Sequence, residues 1–253
     1  MKSSTDIHWN ERAANEKEHI NVNLMDVFQR NVEFDVIDQY LRSDMKLLEV
    51  GCGNGYSTSH FRDHVKYVDA FDYAENMIAQ AKQVVGESNN RFFVDNLLNP
   101  EHIDHDYDCA VCIRVLINLR SFDEQVLALN NIASALKPGG RLILGEGYKD
   151  GFDQLNLLRN SLELSDLEPA KINYYSSLAE FLPEIKKLFV IRDEFHLGMY
   201  DFLTRVFHPF LVAPELVQHN TNFSEKSEIL AKVLNPDCFE KYSRIKGFVL
   251  EKK

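Results

Sequence analysis

The 253-residue sequence predicts an α/β protein with a doubly wound, seven-stranded sheet that is mostly parallel and has an antiparallel last strand. Three observations predict this fold class. Apolar, strand-like runs alternate with amphipathic helical stretches along most of the chain. A loop with three glycines, residues 51–55, follows the first apolar run. The chain can also bury the core of one large domain, which we place at residues 46–253, after a helical cap at 1–45.

Composition and charge exclude several classes of function. The formal net charge of −11 argues against a nucleic-acid substrate, because phosphate binding needs a basic surface. No apolar stretch reaches about 18 residues, so we expect no membrane span. The first ten residues lack the basic and then apolar pattern of a secretion signal. We therefore expect a cytoplasmic protein that acts on a small molecule.

The four cysteines do not predict a disulfide framework or a metal site. Cys109 and Cys112 form a CxxC pair inside an apolar run that is typical of a strand. Residues three apart on a strand point to opposite faces of the sheet, so these thiols could not share a metal ion or a disulfide. No group of His, Asp and Glu has a convincing ligand spacing either, and the sequence predicts no metal.

The first strand and the glycine loop form the start of a nucleotide-binding fold. Residues 46–50 predict the strand, and a helical pattern begins at Tyr56. Glycine permits the tight turn and the close approach of a ligand, and the helix offers free N–H groups. A dinucleotide fingerprint beginning at Gly51 would need a glycine at position 56, and a phosphate loop would need Gly-Lys-Ser/Thr. The sequence matches neither pattern.

The glycine loop resembles the first motif of class I S-adenosylmethionine-dependent methyltransferases. The matching residues are Leu47-Leu48-Glu49-Val50-Gly51-Cys52-Gly53-Asn54-Gly55. A second match, Leu136-Lys137-Pro138-Gly139-Gly140-Arg141-Leu142, is a structural turn that leads into the fifth strand. The resemblance covers roughly residues 45–150. It implies a Rossmann-like sheet, S-adenosylmethionine as cofactor, S-adenosylhomocysteine as product, and cofactor contacts from Glu49, Gly51, Cys52, Gly53, Asn54 and Gly55.

The ends of the second and third strands predict further cofactor contacts. The strand at 68–72 ends at Asp72, where a carboxylate could accept hydrogen bonds from both ribose hydroxyls, although an acid at a helix N-terminus is the alternative. For the segment after the strand at 91–94, the resemblance implies that Asp95 and Asn96 contact adenine, whereas Asp95 could instead cap the next turn. Tyr73, Met77 and Leu97 are predicted to form apolar walls around the adenine ring, although each could instead belong to the core.

The fourth strand, residues 107–113, leads to the edge where the resemblance implies methyl transfer. Arg114 follows this strand and is a predicted cofactor contact. The Asp/Asn-Pro-Pro-aromatic motif of methyltransferases that act on nucleic-acid amines is missing here. Its absence agrees with the acidic charge in favouring a small-molecule acceptor. The fifth strand, residues 141–147, carries Glu146 at its carboxyl end, where we expect it to point toward a substrate.

Two segments outside the central pattern are predicted to cover the cofactor and the substrate. Residues 6–45 look mainly helical, and Trp9, Asn21, Asn23 and Arg30 are candidate contacts, unless the segment is a surface helix packed by its apolar stripe. About fifty residues, 196–243, separate the strand predicted at 188–192 from the last strand at 244–250. This insertion is rich in aromatic residues and forms either a lid or a small packed cluster. The candidate substrate contacts of the lid are Tyr174, Tyr175, Tyr200 and Arg205.

The residues leave the chemistry of the acceptor open. An alcohol needs a general base, for which Glu146, His196 and His208 are candidates, although each histidine could be a packing residue. A carboxylate or phosphate oxygen would instead need a cation such as Arg114 or Arg205. Short segments at 146–156 and 205–209 resemble enzymes of surface-polysaccharide biosynthesis, which implies methylation of an oxygen of a sugar or of a sugar-linked group.

Three alternatives accompany this interpretation. The first is methylation of a nitrogen, a carboxylate or a phosphate of another small metabolite. The second is an enzyme of the same fold that binds a nicotinamide nucleotide, against which Tyr56 and the segment 95–97 argue. The third is a catalytically silent cofactor-binding fold that serves a partner protein. The sequence does not predict the oligomeric state.

Overall fold

The computed structural model of the protein describes residues 4–15 and 26–253. The strands are β1 Lys46–Val50, β2 Tyr67–Asp72, β3 Asn90–Val94, β4 Tyr107–Ile113, β5 Leu136–Gly147, β6 Phe189–His196 and β7 Ile245–Lys252. The α-helices are α1 Ser4–Asn15, α2 Val27–Asp38, α3 Tyr56–Phe61, α4 Glu75–Val84, α5 Phe122–Ala135, α6 Lys149–Ser161, α7 Leu178–Leu188, α8 Gly198–Phe202, α9 His208–Val212 and α10 Asn222–Val233. Two 3₁₀ turns, Leu116–Asn118 and Asp237–Tyr242, and a π-helical turn, Leu203–Phe207, complete the described elements.

The seven strands form one sheet in the order β3-β2-β1-β4-β5-β7-β6. Strands β1 to β5 pair in parallel, and β7 runs antiparallel between β5 and β6. The order reverses beside β1, so a crevice opens at the carboxyl ends of β1 and β4. The predicted Rossmann-like sheet with its antiparallel last strand is confirmed.

Helices pack on both faces of the sheet, as a doubly wound fold requires. In β1, Leu48 and Val50 contribute to the core under α5 and α7, whereas Leu47 contributes to the core under α2, α3 and α4. This alternation follows from the two-residue period of a strand. Helix α5, for example, buries an apolar stripe that includes Leu129 and Ile132. Both cores position the carboxyl ends of the central strands.

Several bounds differ from the sequence prediction. Strand β5 begins at Leu136, because residue 136 already pairs with Tyr107 before the turn at Gly139. Strand β6 continues to His196, so this residue lies in the sheet and not in the insertion.

The insertion forms a packed unit on α2. Tyr200 and Met199 of α8 and Ala231 of α10 share an apolar cluster with Val32 of α2. Helix α10 also reaches α2 through a hydrogen bond of 3.0 Å from Asn31 Nδ2 to an oxygen of Glu228. The packed cluster that the sequence left open is therefore present. Within the described ranges, no helix combines the length and the apolar character that a membrane crossing needs.

Candidate active site

A cavity of about 1280 Å³ lies at the carboxyl ends of the central strands. Two groups of residues in its wall differ in composition. We call the first the glycine cluster; its members are Glu49, Gly51, Cys52, Gly53, Asp72, Tyr73, Met77, Asp95, Asn96 and Leu97. We call the second the arginine cluster; its members are Asp26, Gln29, Arg30, Glu33, Arg114, Tyr175, Arg205, His219 and Arg244.

The glycine loop needs glycine for both conformation and space. Gly51, Gly53 and Gly55 all have left-handed backbone angles, with φ of +67°, +54° and +79°. A Cβ atom on Gly51 would lie 2.6 Å from Cγ2 of Val115. Gly51 and Gly53 line the cavity, whereas the fully buried Asn54 and Gly55, which begins α3, do not. The loop therefore exposes backbone to the cavity, and at Gly51 there is no space for a side chain.

Asp72 ties the end of β2 to the glycine loop. One carboxylate oxygen accepts a hydrogen bond of 3.0 Å from the backbone N–H of Gly53, and the other accepts one of 2.9 Å from Ala74 at the start of α4. Burial raises the pKa of Asp72 to about 6, against the lowering effect of these hydrogen bonds. A carboxylate offers about four acceptor sites, so acceptor capacity remains for a ligand. The capping alternative and a ligand role are compatible at this residue.

Glu49 is the most buried acid of the glycine cluster that also faces the cavity. The hydroxyl of Thr58 donates a hydrogen bond of 2.5 Å to one of its oxygens. Burial raises the pKa of Glu49 to about 8, and the charge of Asp72 adds to that effect. Glu49 is therefore largely protonated at neutral pH, and a cationic ligand group beside it would favour its ionised form.

Asp95 uses its carboxylate to cap the turn that follows β3. The backbone N–H groups of Asn96, Glu101 and His102 donate hydrogen bonds of 2.8–3.2 Å to its two oxygens. The structure therefore shows the capping role that the sequence left as the alternative. Asn96 and Leu97 line the cavity, and their contact with adenine stays a prediction.

Helix α1 covers the cavity beside α4. Trp9 and Met77 belong to one apolar cluster, and Trp9 Nε1 donates a hydrogen bond of 3.4 Å to the side-chain oxygen of Asn118. Trp9, Tyr73 and Met77 all line the cavity. The predicted contacts Asn21 and Asn23 lie outside the described residues.

Helix α2 and its N-cap residue supply four polar side chains to the arginine cluster. Asp26 caps the helix by accepting a hydrogen bond of 3.1 Å from the backbone N–H of Gln29. Gln29 Nε2 donates a hydrogen bond of 3.0 Å to Glu33 on the next turn. The guanidinium of Arg30 lies over the ring of Tyr56, 4.2 Å from its centroid. These side chains are buried, and they face the cavity and not the apolar stripe.

The insertion reaches Asp26 with three side chains. Tyr200 donates a hydrogen bond of 2.6 Å from its hydroxyl, and Arg205 Nη2 lies 2.8 Å from the other oxygen. His219 Nδ1 lies 3.6 Å from that same oxygen. Burial raises the pKa of Asp26, but His219 and then Arg205 outweigh it and hold the pKa well below the usual value. Asp26 is therefore an anion that orients a cation and an imidazole.

Arg244, just before β7, completes the cluster from the far end of the chain. Its Nε and Nη2 atoms donate hydrogen bonds of 2.9 Å and 2.6 Å to one oxygen of the buried Asp201. Nη2 also donates one of 3.1 Å to Gln29 Oε1, which lies 3.5 Å from Arg205 Nη2. Gln29 thus bridges two arginines and the carboxylate of Glu33.

Arg114 has a strained backbone at the end of β4. Its φ of +57° lies in the left-handed region, which residues with a side chain rarely adopt. A hydrogen bond of 2.8 Å from its N–H to Gly145 O and another of 2.8 Å from Asn118 Nδ2 to its own carbonyl hold this conformation. Its Nη2 donates a hydrogen bond of 3.1 Å to Glu33. With this backbone conformation, the side chain of Arg114 lines the cavity.

The three predicted bases do not line the cavity. The carboxylate of Glu146 accepts hydrogen bonds of 2.9–3.3 Å from the N–H groups of residues 115, 116 and 117, so it holds the 3₁₀ turn and does not point toward a substrate. Burial raises its pKa to about 7, against these hydrogen bonds. His196 accepts a hydrogen bond from the N–H of Gly198, and His208 stacks on Phe223. Both histidines have packing or turn contacts, the alternative that the sequence left open.

Some of the predicted substrate contacts line the cavity, and others do not. Trp9, Tyr175 and Arg205 line the cavity. Tyr200 is fully buried and acts on Asp26, and Tyr174 uses its backbone carbonyl to accept a hydrogen bond of 3.0 Å from Gln125. Neither of these two tyrosines is part of the cavity wall.

Sequence reasoning missed several residues of the arginine cluster. The Asp-x-x-Gln pattern at residue 26 signals a helix start, but nothing in the sequence connects it with a cavity. His219 follows no strand or motif. The missed residues are Asp26, Gln29, Glu33, His219 and Arg244.

Comparison with known proteins identifies the domain. Residues 47–140 match the family described as a methyltransferase domain. The O-methyltransferase rstn1 of Aspergillus nomiae is 28% identical over 131 residues, which cover 49% of this chain and 56% of the relative. The carboxy-S-adenosyl-L-methionine synthase of Vibrio vulnificus is 26% identical over 120 residues, which cover 44% of this chain and 47% of the relative. The chain thus spans about half the length of the curated relatives it matches.

A solved structure has the same fold. The N-methyltransferase NodS from Bradyrhizobium japonicum WM9, in complex with S-adenosylhomocysteine, covers 99% of both chains with a TM-score of 0.61. At 14% identity this likeness concerns the fold. Together, the family match over residues 47–140 and this fold support the predicted class I S-adenosylmethionine-dependent methyltransferase domain and its cofactor.

The residues present fit this cofactor. Gly51 and Gly53 present backbone to the cavity, a Cβ atom on Gly51 would overlap Val115, and the carboxylate of Asp72 lies beside them. The cavity exceeds the roughly 300–1,000 Å³ of a site for one small ligand. It therefore has room for a cofactor and an acceptor together.

Proposed function

We propose that the protein transfers the methyl group of S-adenosylmethionine to an oxygen of a small hydroxylated molecule that also carries an acid group. One observation carries the proposal: a single cavity joins the glycine cluster to four arginines and a histidine. A sugar or sugar-linked group with a carboxylate or phosphate has this chemistry. Its place in surface-polysaccharide biosynthesis rests on the sequence segments 146–156 and 205–209.

The glycine cluster has the groups that hold the cofactor. When bound, S-adenosylmethionine supplies a methyl group on an electrophilic sulfonium, so the protein has to align the acceptor and exclude water. The free lone pairs of Asp72 accept from ribose hydroxyls, and Glu49 faces the cavity where it can accept from an ammonium group. Tyr73, Met77 and Leu97 provide apolar surface for a planar ring.

The arginine cluster has an unbalanced charge that an acid group would neutralise. Four guanidinium groups, of Arg30, Arg114, Arg205 and Arg244, stand against the carboxylates of Asp26, Glu33 and Asp201. Burial and then the charge of Arg114 lower the pKa of Arg30, and burial and then Arg244 lower that of Arg205. Arginines stay charged in proteins, so these lowered pKa values reflect burial first and repulsion between the guanidinium groups second. A bound carboxylate or phosphate relieves that repulsion.

His219 has the position of a general base. Its ring lines the cavity, and Asp26 beside Nδ1 favours the tautomer that carries its proton on Nδ1. Nε2 is then an acceptor for the proton of an acceptor hydroxyl. The asparagine after it, Asn220, accepts a hydrogen bond of 3.0 Å from the N–H of Val27, which fastens this loop to the start of α2.

Cofactor and acceptor class can be tested directly. Calorimetric titration should show binding of S-adenosylmethionine and S-adenosylhomocysteine but not of NAD, and Asp72→Ala should weaken it while the exposed Asp44→Ala does not. Release of S-adenosylhomocysteine should then be faster with uronic acids and sugar phosphates than with the matching neutral sugars. Binding of NAD, or of none of the three, would contradict methyl transfer. Equal rates with neutral and acidic sugars would contradict the acid group.

The general base has its own test, with the best acceptor from that series. We expect His219→Gln to lower kcat by about 10²–10⁴-fold, the usual contribution of general-base catalysis, with S-adenosylhomocysteine affinity unchanged. The pH dependence of the rate should flatten in this variant. His105→Gln, at an exposed histidine that does not line the cavity, is the matched control. An unchanged rate in His219→Gln would instead favour an acceptor without a proton to remove, such as a carboxylate.

A further inference from the structure

We propose that Asp38, His60 and His64 form a binding site for a divalent cation of the zinc type. The site lies on the surface, where the end of α2 meets the segment after α3. Among residues 4–15 and 26–253, these three make up the one group of three potential metal ligands whose ligand atoms all lie within 4.8 Å of one another. This proposal does not rest on methyl transfer, and it revises the sequence expectation of no metal.

The chain brings the two imidazoles to the same side. His60 is in α3, and His64 follows it by four positions, the spacing of neighbours on a helix face. The backbone continues in helical turns beyond α3, because Asp63 N donates to His60 O and His64 N donates to Phe61 O, at 3.3 Å and 2.9 Å. The centroids of the two histidine rings are 4.8 Å apart. Both rings therefore face Asp38.

The distances are near those of a tetrahedral site. His60 Nε2 lies 3.0 Å and 2.9 Å from the two carboxylate oxygens of Asp38, and His64 Nδ1 lies 4.0 Å from one of them. With zinc–nitrogen and zinc–oxygen bonds of about 2.0–2.2 Å, neighbouring ligand atoms stand roughly 3.4 Å apart. Small side-chain rotations of Asp38 and His64 bring the three atoms to this separation.

A hydrogen bond between Asp38 and His60 explains only two members of the group. His64 lies beyond hydrogen-bonding distance of Asp38, whereas a cation would use all three side chains. The exposed side-chain fractions of Asp38, His60 and His64 are 26%, 32% and 39%, so an ion and a water ligand can reach them. The ring of His60 stacks on Phe34 with their centroids 4.3 Å apart, which restricts the orientation of the imidazole.

A cation here would fasten α2 to the helix of the glycine loop. Asp38 is the last residue of α2, and the same helix carries Arg30 and Glu33 of the arginine cluster. A ligand that binds the folded state alone raises its stability by mass action. We therefore expect zinc to stabilise the wall of the cavity without taking part in its chemistry.

Calorimetry with metal-free protein tests the site. The experiment uses the full chain without an affinity tag, in a Cys238→Ser background, because the exposed thiol of Cys238 would compete for zinc. We expect one Zn²⁺ per chain and a rise in the midpoint temperature. His64→Ala and Asp38→Ala should each lose at least about tenfold in zinc affinity, since a three-ligand site loses one ligand. S-adenosylhomocysteine binding reports folding, and the exposed His105→Ala is the control.

Cobalt absorption decides the question without any variant. Co²⁺ added to the unsubstituted ligand set should give the visible spectrum of a four-coordinate site with nitrogen and oxygen ligands. No stoichiometric zinc binding, no such spectrum, or equal zinc affinity in His64→Ala would overturn the proposal.

Discussion

The glycine cluster and the arginine cluster face the same cavity and are built in opposite ways. The glycine cluster is formed by backbone and short side chains from consecutive residues at strand ends, such as 51–53 and 72–73. The arginine cluster is formed by long side chains from distant segments, held by buried ion pairs such as Arg244–Asp201. A site made of backbone depends on conformation, whereas a site made of ion pairs depends on partners. Substitutions should therefore affect the two clusters in different ways.

The largest expected effect is loss of a partner in the arginine cluster. Arg244→Gln leaves the carboxylate of Asp201, which is 1% exposed, without its guanidinium. Breaking a buried ion pair from one side costs about 3–5 kcal/mol. Urea denaturation should show this loss of unfolding free energy, and the additional change Asp201→Asn should recover part of it.

The control carries the same substitution at an exposed ion pair. Arg192 contacts Glu251 at 2.8 Å on the surface, and Arg192→Gln should change the unfolding free energy little. Equal losses in Arg192→Gln and Arg244→Gln would contradict the dependence of the arginine cluster on its buried partners.

A smaller effect is expected from a methyl group in the glycine loop. In Gly51→Ala the new Cβ would lie 2.6 Å from Val115 Cγ2 at a φ of +67°. A left-handed residue costs roughly 1–2 kcal/mol, and overpacking adds typically about 1–3 kcal/mol. We expect S-adenosylhomocysteine affinity to fall by at least about tenfold, which corresponds to 1.4 kcal/mol.

Gly86→Ala separates the effect of backbone strain from the effect of steric overlap. Gly86 has nearly the same φ, +71°, but no atom lies within 4 Å of the position of its Cβ. This variant should lose stability through backbone strain and keep its affinity for S-adenosylhomocysteine. A similar loss of affinity in both variants would mean that the close approach of Gly51 to Val115 has no role in binding.

The last effect depends on pH and concerns the buried acids. Burial raises the pKa of Glu49 to about 8 and that of Glu146 to about 7, whereas an unfolded glutamate titrates near about 4.3. Between these values the folded protein binds more protons than the unfolded chain, so raising the pH favours unfolding. The midpoint temperature of the ligand-free protein should fall from about pH 5 to about pH 8. Glu49→Gln should reduce this slope and the exposed Glu215→Gln should not; a rising midpoint would contradict the shifts.

The sequence predicts the fold and the glycine cluster because both depend on local patterns. The apolar run at 107–113 forms a strand that is buried on both faces, and the loop at 51–55 has the left-handed angles that its glycines indicate. The roles of the acids at the strand ends do not follow from local patterns. The carboxylates of Asp95 and Glu146 accept hydrogen bonds from backbone N–H groups of the turns beside them, because buried N–H groups need an acceptor.

The arginine cluster depends on contacts that no local pattern contains. Gln29 and Arg244 are 215 positions apart, and Asp26 meets Tyr200 across 174 positions. In the sequence, the polar residues of α2 are typical of an exposed helix face, whereas in the structure the insertion packs against them. A histidine in a sequence can be a packing residue or a catalytic base. Only the fold, which places His219 at the cavity, distinguishes it from His196 and His208.

The way in which the insertion joins the sheet has an evolutionary consequence. Strand β6 ends at His196, whose partner in β7 is Lys246, so the chain leaves and re-enters the sheet at adjacent positions. The entropic cost of such an excursion grows only slowly with its length. Mutation and recombination can thus lengthen, shorten or replace this segment while the two strands stay paired. A lineage can acquire a new specificity here and inherit its cofactor chemistry unchanged.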